Sequence, residues 1–116
     1  METIITGKGV HILFPKDCGN APKKRLLIDA LAAFIDGDHA GLEKRVDMEK
    51  VSLPSLPEGV MEVKVHRVIT HGKEAGMHLT IYCAGRKQVE AGAFLSFRSA
   101  ANTIISELDI LVDNNR

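Results

Sequence analysis

Residues 74–98 read EAGMHLTIYCAGRKQVEAGAFLSFR, a stretch in which apolar and polar side chains alternate. Alternation with a period of two is typical of β-strands that bury one face. The pattern predicts strands at Glu74–Ala84 and Gln88–Arg98, and the short turn at residues 85–87 makes them antiparallel neighbours. The apolar side chains on one face are Met77, Leu79, Ile81, Cys83, Val89, Ala91, Ala93, Leu95 and Phe97.

The same alternation extends in both directions along the chain. It predicts further strands at Val60–His71 and Thr103–Val112, which complete a four-strand meander. In the last strand the inward face is predicted to hold Ile104, Leu108, Ile110 and Val112, with Ser106 between them. The opposite face of the meander is mixed rather than polar, and it carries His66, Val68, His78, Thr80, Tyr82, Phe94, Ser96, Glu107, Asp109 and Leu111.

The N-terminal half reads mainly as helix. A short apolar run at residues 10–14 is a candidate strand, and a helix is predicted from Pro22 to about Asp36. Its apolar stripe consists of Leu27, Leu31, Phe34 and Ile35. Gly37 should end this helix and Asp38 should cap a short second one. Residues 47–53 suggest a short strand, and the prolines of residues 54–59 predict a loop. Helices followed by a run of strands indicate an α+β fold.

Length and composition limit the classes of function that the chain can have. The chain has 116 residues, so we expect a single domain over 1–116. Fifteen basic residues balance fifteen acidic ones, which argues against nucleic acid and against a membrane surface as partners. No apolar run approaches the length of a membrane span and no signal peptide is visible. Two cysteines are too few for a disulfide framework, so we expect a cytoplasmic protein.

Three stretches resemble the nuclear transport factor 2-like superfamily. Residues 33–38 followed by Leu42 resemble its phenylalanine, glycine-aspartate, leucine step between helices one and two. Residues 93–98 followed by 103–105 resemble its last hairpin. The stretch HILFPKDCGNAPKK at residues 11–24, together with ITHGK at 69–73, resembles a subgroup of small bacterial members. The superfamily includes ketosteroid isomerase-like enzymes, SnoaL-like polyketide cyclases and proteins similar to limonene epoxide hydrolase.

The resemblance implies N-terminal helices packed on a curved, mainly antiparallel sheet of four to six strands, curled into a cone with a pocket inside. It also implies a homodimer through the outer sheet face, where Tyr82, Phe94 and Leu111 lie. One departure concerns the middle of the chain. The superfamily usually inserts a further helix and strand before the meander, but only residues 54–59 are free here, and their prolines forbid a helix. We therefore expect a shortened or open pocket.

Three functional hypotheses follow. The first is a small-molecule-binding domain whose apolar pocket is lined by Leu27, Leu31, Phe34, Met77, Leu79, Phe97 and Ser106. The second is an isomerase, cyclase or hydrolase-like enzyme that uses a buried carboxylate as general base, with Asp47 or Glu49 as candidates. The alternative interpretation of these acids is a solvated face or ion pairs with Arg98 or His78. The third hypothesis is a dimerisation module that binds nothing small.

Other reactive residues form weaker patterns. Lys16, Lys23 and Lys24 flank a predicted helix start and suggest an anion site, although a solvated basic patch gives the same pattern. Cys18 lies near these lysines, which would lower a thiol pKa, but no nucleophile motif surrounds it. The histidines follow no standard zinc spacing, although His66 and His78 could meet across adjacent strands. We therefore predict neither a metal site nor a cofactor.

Overall fold

The computed structural model describes the backbone of residues 1–113 and the side chains of that range except those of residues 19 and 20. Within it, the chain begins with strands β1 (Glu2–Ile5) and β2 (His11–Phe14). Three helices follow, α1 (Lys16–Asn20), α2 (Pro22–Asp36) and α3 (His39–Glu43). The meander then consists of β3 (Val60–His71), β4 (Glu74–Cys83), β5 (Gln88–Phe97) and β6 (Ile105–Asp113). The four predicted meander strands are confirmed to within two residues at each end.

The described strands form one curved six-stranded sheet in the order β1-β2-β3-β4-β5-β6. All neighbours are antiparallel except β2 and β3, which are parallel because the helices connect them. The α+β class and the mainly antiparallel sheet are thus as predicted. The candidate strand at residues 10–14 is confirmed as β2. Strand β1 was not predicted, and its pairing with β2 places a hairpin before the helices, so the order of helices followed by strands does not describe the start of the chain.

Helix α2 has the bounds that its apolar periodicity predicts. Pro22 occupies its first turn, where a missing N–H costs nothing. Gly37 ends it in the left-handed conformation at φ 63°, and the N–H of Asp38 donates to the Ala33 carbonyl. Asp38 also caps α3, because its carboxylate accepts from the Gly41 N–H at 3.0 Å.

An acidic side chain joins the N-terminal hairpin to the end of α2. The Asp36 carboxylate accepts hydrogen bonds from the backbone N–H groups of Gly7 at 2.8 Å and Lys8 at 3.0 Å. Burial opposes ionisation of this carboxylate, but the donated hydrogen bonds outweigh it, so the pKa of Asp36 lies below its usual value. The hairpin loop is therefore held against the helix that packs on the sheet.

Of the three register shifts in the described sheet, two change the predicted faces of residues. The pairing of β3 with β4 shifts between Val65 and Arg67, and the extra residue is His66. Val68 consequently faces the core at 4% exposure, so its predicted place on the outer face is wrong. The pairing of β5 with β6 shifts beside Ser96, which turns Ile105 inward at 4% exposure instead of the predicted Ile104.

The segment after α3 is not the strand predicted for residues 47–53. Val46 makes a single parallel bridge to Ile105, and the chain then turns, with the N–H of Val51 donating to the Asp47 carbonyl at 2.9 Å. Residues 54–59 form the predicted loop. No helix among the described residues is long and apolar enough to cross a bilayer.

Candidate functional site

A cavity of about 410 Å³ lies between α2 and the inner face of the sheet. Helix α2 forms one wall, the strands of the meander form the opposite wall, and the loop of residues 53–57 borders it. The lining from α2 to the loop comprises Leu27, Ala30, Leu31, Phe34, Ile35, Leu42, Val46, Leu53, Pro54, Ser55, Leu56 and Pro57. The lining from the sheet comprises Val63, Met77, Leu79, Ile81, Val89, Ala91, Ala93, Leu95, Ile105, Leu108, Ile110 and Val112.

The cavity lies between small side chains of the sheet and large side chains of α2 that are only partly buried. Ala91 and Ala93 occupy the middle of β5, where larger side chains would fill the space. On the opposite wall Leu31 and Phe34 pack against the core but remain partly exposed. Met77 has the same half-buried state on β4. The apolar stripe of α2 therefore covers the sheet without closing on it.

The chemistry of the lining is almost entirely apolar. Among the described residues that line the cavity, Ser55 is the one with a polar side chain, and none carries an ionisable group. Such a surface binds by removing apolar area from water, at roughly 25 cal/mol per Å² buried. It contains no general acid or base, so by itself it can hold a molecule but does not move a proton.

The seven residues predicted to line the pocket divide into two groups. Leu27, Leu31, Phe34, Met77 and Leu79 line the cavity. The other two, Phe97 and Ser106, are not part of the lining. The Phe97 side chain is 1% exposed at the end of β5, 5.5 Å from the Lys23 ammonium.

Ser106 is displaced from the cavity by the bulge in β6. Its hydroxyl donates to the Ser96 carbonyl at 3.4 Å. Sequence reasoning also left out of the pocket the two alanines of β5 and the apolar residues of the 53–57 loop. The spacing of the apolar residues indicates the bulge. Inward-facing residues of a regular strand are an even number of positions apart, but Ile105 and Leu108 are three apart.

The two candidate catalytic acids lie outside this lining. Asp47 accepts from the Arg98 guanidinium at 3.0 Å and from the Glu49 N–H at 3.2 Å. The Arg98 hydrogen bond is the main reason that the pKa of Asp47 lies below its usual value, which makes this carboxylate a weaker base. Glu49 is exposed. The structure therefore gives Asp47 the ion-pair role that was its alternative interpretation.

The three lysines of the suggested anion site have separate surroundings. The Lys24 ammonium pairs with Asp17 at 2.9 Å, which holds its pKa above its usual value. The Lys23 ammonium donates to the Gly72 carbonyl at 2.6 Å. Lys16 is exposed. Two of the three positive charges thus already have partners within the fold.

Neither cysteine has the surroundings of a reactive thiol. Cys18 is 1% exposed, and burial, followed by the nearby Asp17 charge, raises its pKa. Lys24 lowers this pKa, as the sequence suggests, but desolvation and the Asp17 charge are larger effects, so the expectation of a lowered thiol pKa is wrong. Cys83 is buried at 7% exposure, as predicted for a small core residue.

The outer face of the sheet carries two further features. Phe94 and Leu111 are 56% and 65% exposed, and Tyr82 is half-buried. Beside them His66, His78, Thr80 and Glu90 form a hydrogen-bonded group across β3, β4 and β5. The sequence allowed for a meeting of His66 and His78, and their ring centroids lie 4.7 Å apart. The contribution of Glu90 was not foreseen.

Comparison of the chain with protein-family models, with curated proteins and with solved structures finds no match. Because one fold hosts many functions, a function for this chain has to come from its sites. The apolar cavity and the outer-face histidine group are two such sites among the described residues.

Proposed function

We propose that this chain is a small-molecule-binding domain of the nuclear transport factor 2-like superfamily, and that its ligand is an apolar molecule held between α2 and the inner face of the sheet. The observation that carries the proposal is the cavity of about 410 Å³ with an apolar lining. Concave, mostly apolar pockets of about 300–1,000 Å³ are typical of small-molecule sites. A ligand of this kind would complete the burial of Leu31, Phe34 and Met77.

The proposed superfamily membership draws support from the arrangement of the elements. Two of the three helices form the predicted step at Gly37 and Asp38, and a four-strand antiparallel meander follows the helices. The N-terminal hairpin is a departure from helices placed first. The cone-like curl of the sheet remains part of the proposal. The proposed setting is the cytoplasm, because both cysteines are free thiols.

The enzyme hypothesis has less support. A general base must reach the proton that it abstracts, at about 2.6–3.2 Å or through one water. No ionisable side chain lines the cavity among the described residues, and Asp47 is engaged by Arg98. We therefore propose binding rather than catalysis as the activity of the cavity.

We also propose a homodimer through the outer face of the sheet. The Phe94 ring lies over Gly76 and Gly92, where an added Cβ would be 3.7 Å from ring atoms. Ile69, which pairs with Gly76, is 56% exposed on the same side. Together with Leu111 these side chains form an apolar strip that a second copy would cover. Sedimentation equilibrium should show a dimer that Phe94→Ser weakens, whereas a wild-type monomer at all concentrations would contradict this proposal.

Binding can be tested with N-phenyl-1-naphthylamine, a neutral apolar fluorophore. We expect saturable fluorescence enhancement with one probe per chain. Ala93→Leu adds three carbon atoms to the cavity wall, so it should weaken binding at least tenfold. Ala91→Leu makes the same change at the neighbouring inward position of β5 and serves as a second variant if one of them folds poorly.

The matched control lies on the other face of the same strand. Phe94→Ser removes the largest exposed apolar side chain of the outer face, so it should leave probe binding unchanged. If Ala91→Leu and Ala93→Leu both still bind the probe and Phe94→Ser does not, the probe binds to the outer face. That result, or no saturable binding by the folded wild type, would overturn the proposed function.

A further inference from the structure

The bulge in β3 brings two histidines together on the outer face of the sheet. Val65 pairs with Leu79 and Arg67 pairs with His78, so His66 is the extra residue opposite this step. Its ring lies beside that of His78, with centroids 4.7 Å apart and planes inclined by 36°. Two imidazoles thus face the same small region of surface.

A carboxylate from the third strand reaches the same place. The Glu90 Oε2 atom lies 2.9 Å from Nε2 of His78, although the two residues are on neighbouring strands and not in direct register. One ring nitrogen of each histidine and a carboxylate oxygen of Glu90 all lie within 4.8 Å of one another. Three potential ligands therefore converge from β3, β4 and β5.

A buried hydroxyl holds two of these ligands. Thr80 is 2% exposed even though it lies on the outer face, and the side chains of His66 and Glu90 contact its hydroxyl. Its hydroxyl donates to Glu90 Oε1 at 2.5 Å, and the same oxygen lies 2.7 Å from Nε2 of His66. Partners of this kind orient ligand side chains at metal sites. Thr80 acts here as a positioning residue.

We propose that His66, His78 and Glu90 form a binding site for a divalent transition-metal ion such as Zn²⁺. Two imidazoles and one carboxylate form a ligand set found in zinc sites that keep an open position. Water would fill the remaining position, since the His78 side chain is 57% exposed. The proposal is independent of the cavity, which lies on the other face of the sheet.

The type of ligand predicts how binding depends on pH. Imidazole binds a metal only in its neutral form, so the affinity for the ion should fall as the pH falls.

Only small side-chain movements are required. Tetrahedral coordination at about 2.0–2.2 Å separates ligand atoms by about 3.3–3.5 Å. Ligand atoms that now lie up to 4.8 Å apart must therefore approach by up to about 1.5 Å, and Nε2 of His78 and Oε2 of Glu90, now 2.9 Å apart, must separate by about 0.5 Å if both bind the ion. Rotation about the side-chain χ angles would supply these movements. The strands that carry them need not move.

The test is a calorimetric titration of ZnCl₂ into the full chain without a polyhistidine tag. We expect one ion per chain, and at least a tenfold loss of affinity in His78→Ala and in Glu90→Gln. His78 is the more exposed ligand, so its replacement should leave the fold intact. Proton–nitrogen spectra of the histidine rings should show that Zn²⁺ shifts His66 and His78 and leaves His11 and His71 in place.

The matched control is a second close pair of a histidine and a glutamate. Nε2 of His39 lies 2.8 Å from Oε1 of Glu43 on α3, and no third potential ligand joins this pair among the described residues. His39→Ala should leave the zinc affinity unchanged. The proposal is overturned if wild type binds no tighter than His78→Ala, if His39→Ala loses as much affinity as His78→Ala, or if the ring signals of His66 do not respond.

Discussion

The carboxylate of Asp47 and the guanidinium of Arg98 lie 3.0 Å apart, although 51 positions separate them in the sequence. Arg98 follows the end of β5, and Asp47 follows the bridge between Val46 and Ile105. The pair therefore fastens the segment after α3 to the edge of the sheet. It also makes Asp47, one of the two candidate carboxylates, a weaker general base, because the Arg98 hydrogen bond lowers its pKa.

This ion pair predicts a specific response to acid. Because the pKa of Asp47 is lower in the folded chain than the ordinary value of 3.8, its contribution to stability is present above that value and is lost as the pH falls through the folded pKa. Asp47→Asn should lower the free energy of unfolding at pH 7 and reduce the loss of stability below about pH 4. Urea unfolding from pH 3 to pH 7 measures both effects.

Asp17 and Asp36 also have lowered pKa values, so the acid dependence should be reduced in Asp47→Asn and not abolished. Arg98→Gln removes the other partner and should change the acid dependence in the same direction. Identical pH dependence in the wild type and both variants would show that the pair does not form in solution.

The bulge in β3 predicts opposite outcomes for two adjacent residues. Val68 is 4% exposed and Ile69 is 56% exposed. Val68→Ala should lower the free energy of unfolding by about 2 kcal/mol, because it leaves a gap in the core. Ile69→Ala should change it by less than about 0.5 kcal/mol. Urea unfolding at pH 7 measures the free energy of unfolding of both variants. A larger loss in Ile69→Ala than in Val68→Ala would mean that β3 continues without a bulge.

Burial of Cys18 predicts slow thiol chemistry. With the thiol 1% exposed and its pKa raised, few folded molecules present a thiolate. In Cys83→Ser, where Cys18 is the remaining thiol, Ellman's reagent should react at least a hundredfold more slowly in native buffer than in 6 M urea. Equal rates in both conditions would show that Cys18 is accessible and restore it as a candidate nucleophile.

The periodicity of the sequence predicts the long elements because each is specified locally. Alternation marks the four meander strands, and the stripe through Leu27 and Ile35 with Gly37 behind it marks α2. The sequence predicts less well which face of the sheet each side chain occupies, because one bulge reverses the alternation for all residues beyond it. The phase change between Val65 and Val68 signals that bulge, but only once the core face is known.

The candidate sites depend on contacts between distant parts of the chain. Ala91 and Ala93 make a cavity only because α2 covers them without closing on the sheet. Glu90 meets His66 only through the register of β3, β4 and β5. Neither arrangement requires its residues to stand at a fixed spacing in the sequence, so a search for sequence motifs does not find it.

The proposed function requires an apolar molecule in the space between α2 and the sheet. A titration of methyl-labelled protein with N-phenyl-1-naphthylamine locates the bound probe, because both faces of the sheet carry methyl groups. The methyl signals of Leu31, Leu79 and Ile110 should shift and saturate together, while those of Ile69 and Leu111 stay in place. Shifts confined to Ile69 and Leu111, or no saturable shifts at all, would contradict the proposed function.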